Sequence, residues 1–204
     1  MPYPKGHRAA TREKIIDSAR TLFNRHGFDN VSIGQIMAGA SLTHGAFYGY
    51  FRSKSDLYAE VLDCFFTNPN WRHRWKGVTF DPNANMGPQI VEAYLSRGHF
   101  EDIGNSCPLV ALPSDVARNG VGPRRAFETV FAAMVELLRR GAQGRQARDA
   151  SSAIAALCVG GMVIARAMTD SGRAEDLRDT CRDVALALGG WKPARAVKRR
   201  RSKT

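Results

Sequence analysis

The sequence predicts an all-α fold, a small N-terminal three-helix unit joined to a larger helical body, and three observations carry that prediction. Apolar residues recur at helical spacing along most of the chain. Helix-starting signals stand where the periodic runs begin. No strand alternation, internal repeat or βαβ unit interrupts them. With 204 residues, 44% of them hydrophobic, the chain is long enough to bury the core of one or two domains.

The first helix is expected over 11–25, with Ile15, Ala19, Leu22 and Phe23 on one side and Gly27 as its stop. Ser32 and Gln35 have capping-box spacing ahead of Ile33, Ile36, Met37 and Ala40, so a second helix covers 32–39. Thr43 can cap a short third helix over 43–49, with Ala46, Phe47 and Tyr50 on one side and His44, Tyr48 and Gly49 on others. Ser53-Lys54-Ser55-Asp56 opens a longer helix over 54–67 through Leu57, Tyr58, Val61, Leu62, Phe65 and Phe66. Prolines and glycines then mark 68–88 as a loop. Ile90, Val91, Tyr94 and Leu95 place a helix over 88–102, and another covers 108–119, where Pro113 should bend or split it. The next begins after Gly122, with Pro123 in a favourable first turn, and carries Phe127, Val130, Phe131, Met134, Leu137 and Leu138. Helices over 148–170 and 173–188 complete the set.

Charge is unevenly placed. Residues 1–56 hold eight basic and four acidic side chains, 57–187 hold fifteen of each, and 188–204 hold seven basic and none acidic. The excess therefore sits at the two ends, where it suits a polyanionic partner or simply a solvated surface. The segment 191–204, KPARAVKRRRSKT after Trp191, lacks apolar periodicity and is expected to be a disordered basic tail. No signal-like start or membrane-length apolar run is present, so a soluble cytoplasmic protein is expected. Cys64, Cys107, Cys158 and Cys181 form no CxxC pair, which leaves no zinc site, and no metal or cofactor is expected. Cys107 differs from the others in preceding Pro108 at a helix start. Both a buried core thiol and a reactive sensor thiol fit that position.

Two short helices at a sharp turn, followed by a capped third, form a device for placing a helix in a DNA groove. In order and spacing, Ile36, Ala40, Thr43, Gly45, Tyr48, Tyr50, Phe51, Lys54 and Leu57 resemble the DNA-binding region of the TetR family of bacterial transcriptional regulators. Ile15, Ala19, Leu22, Phe23 and Gly27 fit that family's first helix and its stop. Two positions depart from the pattern: Ser41 stands where the turn usually has glycine, and Tyr50 where histidine is common. Serine takes most turn conformations other than a strained positive φ. The resemblance covers 8–68, with the helix-turn-helix at about 31–50, and implies a helical regulatory and dimerisation domain over 69–190.

On this reading double-stranded operator DNA is the partner, met by Arg8, Ser32, Thr43, His44, Gly45, Tyr48, Tyr50 and Lys54. Thr43 and His44 are placed to read bases, Gly45 to allow close approach, and Tyr48, Tyr50 and Lys54 to hold phosphates. The resemblance implies a homodimer through the last two helices. Small residues Ala153, Ala156, Gly160, Gly161 and Ala167, with Leu177, Val184 and Leu188, would supply that interface. It also implies an apolar pocket for an unidentified small-molecule effector. Phe66, Trp71, Trp75, Tyr94, Phe100, Cys107, Phe127, Phe131 and Met134 are candidate walls, and Arg97, Arg118 and His99 are the groups available to an anionic ligand. No catalytic motif competes, so the chain is not expected to be an enzyme. The expected function is a ligand-released repressor, and the alternatives are a thiol-based redox enzyme or electrophile sensor using Cys107, or a nonspecific nucleoid protein.

Overall fold

The computed structural model describes residues 7–67, Trp75 and 78–191, and among these all regular secondary structure is helical. Helix α1 spans His7–His26, α2 Ile33–Gly39, a 3₁₀-helix His44–Gly49, and α3 Lys54–Thr67. There follow α4 (Met86–Tyr94), α5 (Arg97–Glu101), α6 (Pro108–Ala111), α7 (Pro113–Arg118), α8 (Val121–Gly141), α9 (Arg145–Asp149), α10 (Ser151–Arg166) and α11 (Ser171–Leu188).

Several helices differ from expectation at their ends, and most differences have a local cause. The first is already helical at His7, the first described residue, whose carbonyl accepts the Thr11 hydroxyl. The helix expected over 88–102 breaks at Leu95, because the Ser96 hydroxyl turns back to the Ala93 carbonyl and caps a new start at the His99 amide. Pro113 splits the next helix as expected, leaving α6 and α7. Pro123 is the third residue of α8, in its first turn, where its missing N–H is still free of an intrahelical duty. The helix expected over 148–170 is divided at Ala150, a break no residue type announces.

Buried side chains gather in two clusters. The first joins Ile15, Ala19 and Phe23 of α1 to Ile36 and Met37 of α2, to Phe47, and to Leu57, Tyr58, Val61 and Leu62 of α3. It is closed by Leu112, Val116 and Ala126, which arrive from much later in the chain. The second is built from Ile90, Val91 and Tyr94 of α4, Val130, Met134 and Leu138 of α8, Ile154, Cys158 and Met162 of α10, and Ala185 and Leu186 of α11. Each large apolar side chain so buried contributes about 1.5–3 kcal/mol.

Polar bonds join the clusters. The Asn24 amide at the end of α1 donates to the Gly104 and Ser106 carbonyls at 3.2 and 2.9 Å. The Phe28 amide donates to Asp115 Oδ2 at 3.0 Å. Gly27, at φ +76°, lets the chain pass beneath that carboxylate. Arg166 of α10 donates to Ser106 Oγ at 2.6 Å and to the Phe100 carbonyl at 3.2 Å, fixing the same loop from the far side.

The tail was expected to start at residue 191, but Trp191 belongs to the fold. Its ring is buried against Gly87 and Gly189, and Nε1 donates to the Gly141 carbonyl at 2.9 Å. A Cβ on Gly189 would stand 2.2 Å from that ring, so only glycine fits there. The rest of the expected tail lies outside the described residues. Among the described residues no helix is long and apolar enough to cross a membrane.

Candidate nucleic-acid interface

The turn between α2 and the 3₁₀-helix sets what the surface presents. Ser32 caps α2 through its hydroxyl at the Gln35 amide, 3.2 Å, while Gln35 Oε1 accepts from the Ser32 amide at 2.8 Å. This is the reciprocal box the spacing predicted. The Ser18 hydroxyl donates to the Ile36 carbonyl at 2.8 Å and ties α2 to α1. At the other end, the Leu42 amide bonds the Met37 carbonyl at 2.8 Å and the Ser41 amide bonds the Ala38 carbonyl at 3.0 Å. That pair of bonds is a Schellman closure, which requires a left-handed residue between them. Ser41 supplies it at φ 60°. The turn thus keeps the geometry usually given to glycine, at a steric cost of about 1–2 kcal/mol for a side chain.

Beyond it the chain forms a 3₁₀-helix, tighter than the α-helix and confined to a few residues. Phe47 is wholly buried and anchors it in the first cluster. Thr43, His44, Gly45 and Tyr48 face solvent. Thr43 was expected to cap this helix, but its hydroxyl makes no capping bond and stands available to a partner. Nothing lies within 4 Å of a Cβ built on Gly45, so its missing side chain answers to no neighbour in the chain. Tyr48 is 63% exposed, an unusual position for an aromatic ring, and stands edge-on to the buried Phe47 ring and to His44.

The flanking basic residues divide into free and engaged. Arg8 reaches from α1 to the Gly49 carbonyl at 2.8 Å and lies over Tyr50, steadying the end of the 3₁₀-helix while remaining exposed. Arg12 is paired with Glu60 and stacks on Phe51. Lys54 was assigned to phosphate, yet its ammonium donates to the Phe28 and Val31 carbonyls at 2.9 Å each and sits 4.2 Å from the Phe28 ring centre. It pins the α1–α2 connection, a task that spacing alone does not reveal. Arg52, which the motif passes over, is exposed in the loop between the 3₁₀-helix and α3. Its signal was a positive charge two residues before the α3 start.

The expected pocket residues fall partly together. Trp75, Tyr94, Cys107 and Met134 are buried in the second cluster, with Phe100, Phe127 and Phe131 packed half-buried against it. Trp71 and the Phe66 side chain lie outside the described residues. Trp75, Tyr94 and His99 form an aromatic group with ring centres 4.6 to 5.5 Å apart. The His99 imidazole bonds the Tyr94 carbonyl through Nδ1 at 2.6 Å and takes the Cys107 amide on Nε2 at 3.4 Å. Both ring nitrogens are thus used by a neutral ring, and burial holds its pKa down at about 4. The Tyr94 hydroxyl is buried beside the Cys107 thiol, which is the polar group it faces.

Cys107 is not the low-pKa thiol that a sensor or redox enzyme needs. It is fully buried, burial pushes its pKa up to about 12, and α6, which it precedes, is a single turn. The helix-end argument fails because desolvation outweighs so short a dipole. The anionic-ligand candidates are also spent. Arg97 pairs with Glu101, Arg118 with Asp115, and His99 is neutral.

On the last two helices, Ala153, Ala156 and Ala167 are exposed, Gly160 has open space above it, and Ile164, Met168, Val184 and Leu188 are 37–53% exposed. Leu177 is half-buried at the edge of this stripe. Gly161 was placed on the same face but points inward. A Cβ there would meet Cys181 Sγ of α11 at 2.8 Å, so its small size serves packing within the chain.

Comparison with known proteins agrees with this geometry. Residues 15–61 match the family described as bacterial regulatory proteins, tetR family. The chain is 40% identical over 58 residues to the HTH-type transcriptional regulator AcrR of Shigella flexneri, which is 28% of this chain and 27% of that protein. It is 33% identical over 55 residues to the icaADBC negative regulator IcaR of Staphylococcus aureus, 27% of this chain and 30% of that one. The alignments therefore span less than a third of either relative. Among solved structures, the fold is similar to the reduced form of Escherichia coli NemR, with a TM-score of 0.68, 19% identity, and 92% of this chain and 100% of that one covered. It is also similar to a SmeT–triclosan complex, with a TM-score of 0.57, 19% identity, and 87% and 90% covered.

Proposed function

The N-terminal domain is that of the bacterial TetR family, and on this premise we propose that the chain is a homodimeric, sequence-specific repressor released from its operator by a small uncharged molecule. The observation that carries this is the exposed set Thr43, His44, Gly45 and Tyr48 on a helix anchored from beneath by Phe47. Their side-chain polar atoms make no hydrogen bond among the described residues, and a rigid support holds them at the start of a recognition helix, where base edges are read. Tyr48, Tyr50, Arg8 and Arg52 serve the flanking phosphates. Lys54 and Ser32 act at one remove, by holding α2 and the α1–α2 connection in place.

The exposed apolar stripe of α10 and α11 supports the dimer, since monomers seldom leave so continuous a patch in water. An uncharged effector is supported by the apolar second cluster, beside which His99 is neutral and Arg166 and Arg178 are already held by the Phe100 and Leu95 carbonyls. The SmeT structure with triclosan gives an example of a similar fold holding a small molecule.

Selection from a random DNA pool tests the proposal. A near-palindrome with half-sites about one helical turn apart, ~34–36 Å, or somewhat more, is expected. Thr43→Ala or His44→Ala should shift the selected sequence, and Tyr48→Phe should weaken all sequences alike. A pool that yields no enriched sequence would overturn the reading.

A further inference from the structure

The motif does not account for one basic edge. Between Asp115 and Glu128 the chain has three arginines and no acidic residue. Arg118 is committed to Asp115 at 2.7 Å. Arg124 and Arg125, on the first turns of α8, are exposed and have no ion-pair partner among the described residues.

The position of this edge gives it meaning. Asp115 accepts the Phe28 amide, so α7 is sealed against the end of α1. Ala126, the next residue of α8, is part of the first cluster. Arg124 and Arg125 therefore stand on the part of the larger body that packs against the three-helix unit, in a segment whose Asp115 holds the Phe28 amide of the connection leading into Ser32 and α2. The approach is open, since nothing lies within 4 Å of a Cβ on Gly120 or Gly122, and Val121 between them is 63% exposed. The exposed Glu128, one turn further along α8, closes no ion pair with either arginine among the described residues.

We propose that Arg124 and Arg125 form a second DNA-contacting surface, in the larger body, which grips phosphates beside those met by the helix-turn-helix. The proposal rests on the operator-binding reading above. Two unpaired guanidiniums on adjacent residues repel each other weakly in water and gain from a backbone that carries a negative charge every few ångströms. Their role is sequence-independent. They raise affinity, speed association and leave the choice of operator to the 3₁₀-helix.

The test is operator affinity against salt for wild type, Arg124→Ala/Arg125→Ala, and Arg124→Lys/Arg125→Lys. With roughly 0.9 of slope for each phosphate neutralised, one or two per protomer, the alanine pair should flatten the log–log dependence by about 2 to 4. Its deficit should be at least about tenfold larger at 50 mM salt than at 200 mM. The lysine pair should keep the slope, and hydroxyl-radical protection of the backbone between half-sites should disappear only in the alanine pair. An unchanged slope with intact operator binding and melting temperature overturns the second surface alone, as does a lysine pair that behaves like the alanine pair. A wild-type chain that selects no sequence and binds no duplex overturns the operator reading and this surface together.

Discussion

Ser41 is the residue under most evident strain. Its φ of 60° is imposed by the two bonds that close α2, and its hydroxyl gains nothing that repays the conformation. Ser41→Gly should therefore raise stability by up to about 1 kcal/mol, the left-handed penalty less the extra chain entropy of glycine. A β-branched Ser41→Val should lower stability. Urea midpoints decide it, and a glycine variant no more stable than wild type would mean that the hydroxyl is doing more than its bonds reveal. His99 gives a second test at this scale. Its folded pKa of about 4 lies below the unfolded value near 6.5, so the unfolded chain binds the proton first. Its contribution is complete above pH 6.5 and is lost as pH falls toward 4, up to about 3 kcal/mol in all. Replacing the ring by His99→Gln should flatten that part of the stability–pH curve. An equally steep curve would assign the acid sensitivity to other groups.

At the scale of elements, two adjacent glycines of α10 separate two functions. Gly160 faces open space and Gly161 faces Cys181. If the chain dimerises as proposed, Gly160→Leu separates the dimer while each chain keeps its helical content, and Gly161→Leu unfolds or loosens the chain by overpacking, costing about 1–3 kcal/mol or more. Sedimentation and circular dichroism distinguish them. A Gly160→Leu variant that remains dimeric would move the interface elsewhere. The sequence could not sort these glycines, because both belong to a small-residue stripe and only the position of α11 tells inward from outward. Capped starts were legible, as at Ser32, because cap and helix are neighbours in the chain. The break at Ala150 was not, since no capping side chain or helix-breaking residue marks it. The same limit applied at the site. Thr43, His44 and Tyr48 were readable from the motif, but the occupation of Lys54 by two distant carbonyls, and the burial that silences Cys107, depend on contacts made only when the chain has folded.

The whole molecule is unified by a shared wall. Leu112, Val116 and Ala126 close the first cluster from segments whose neighbours build the second, and Phe127 packs against both. Unfolding should accordingly be one transition. Trp75 and Trp191 are buried in the second cluster, so their fluorescence reports the larger body and far-ultraviolet dichroism reports all helices. The two signals should coincide in urea, and Leu112→Ala should shift both midpoints together by about 2–5 kcal/mol of stability. A fluorescence transition left in place while part of the dichroism melts early would show that the halves are independent.

That wall also limits how such a protein can be recombined. A chimera joined after α3 would bring in a foreign α6, α7 and α8, and with them three strangers in place of Leu112, Val116 and Ala126 and another residue opposite the Phe28 amide. The modular boundary drawn along the chain is therefore not the boundary drawn by its contacts. A graft meant to give this DNA-reading head a new sensor would have to keep residues 112–127 from the original, or redesign the underside of α1 and α3 to match the replacement.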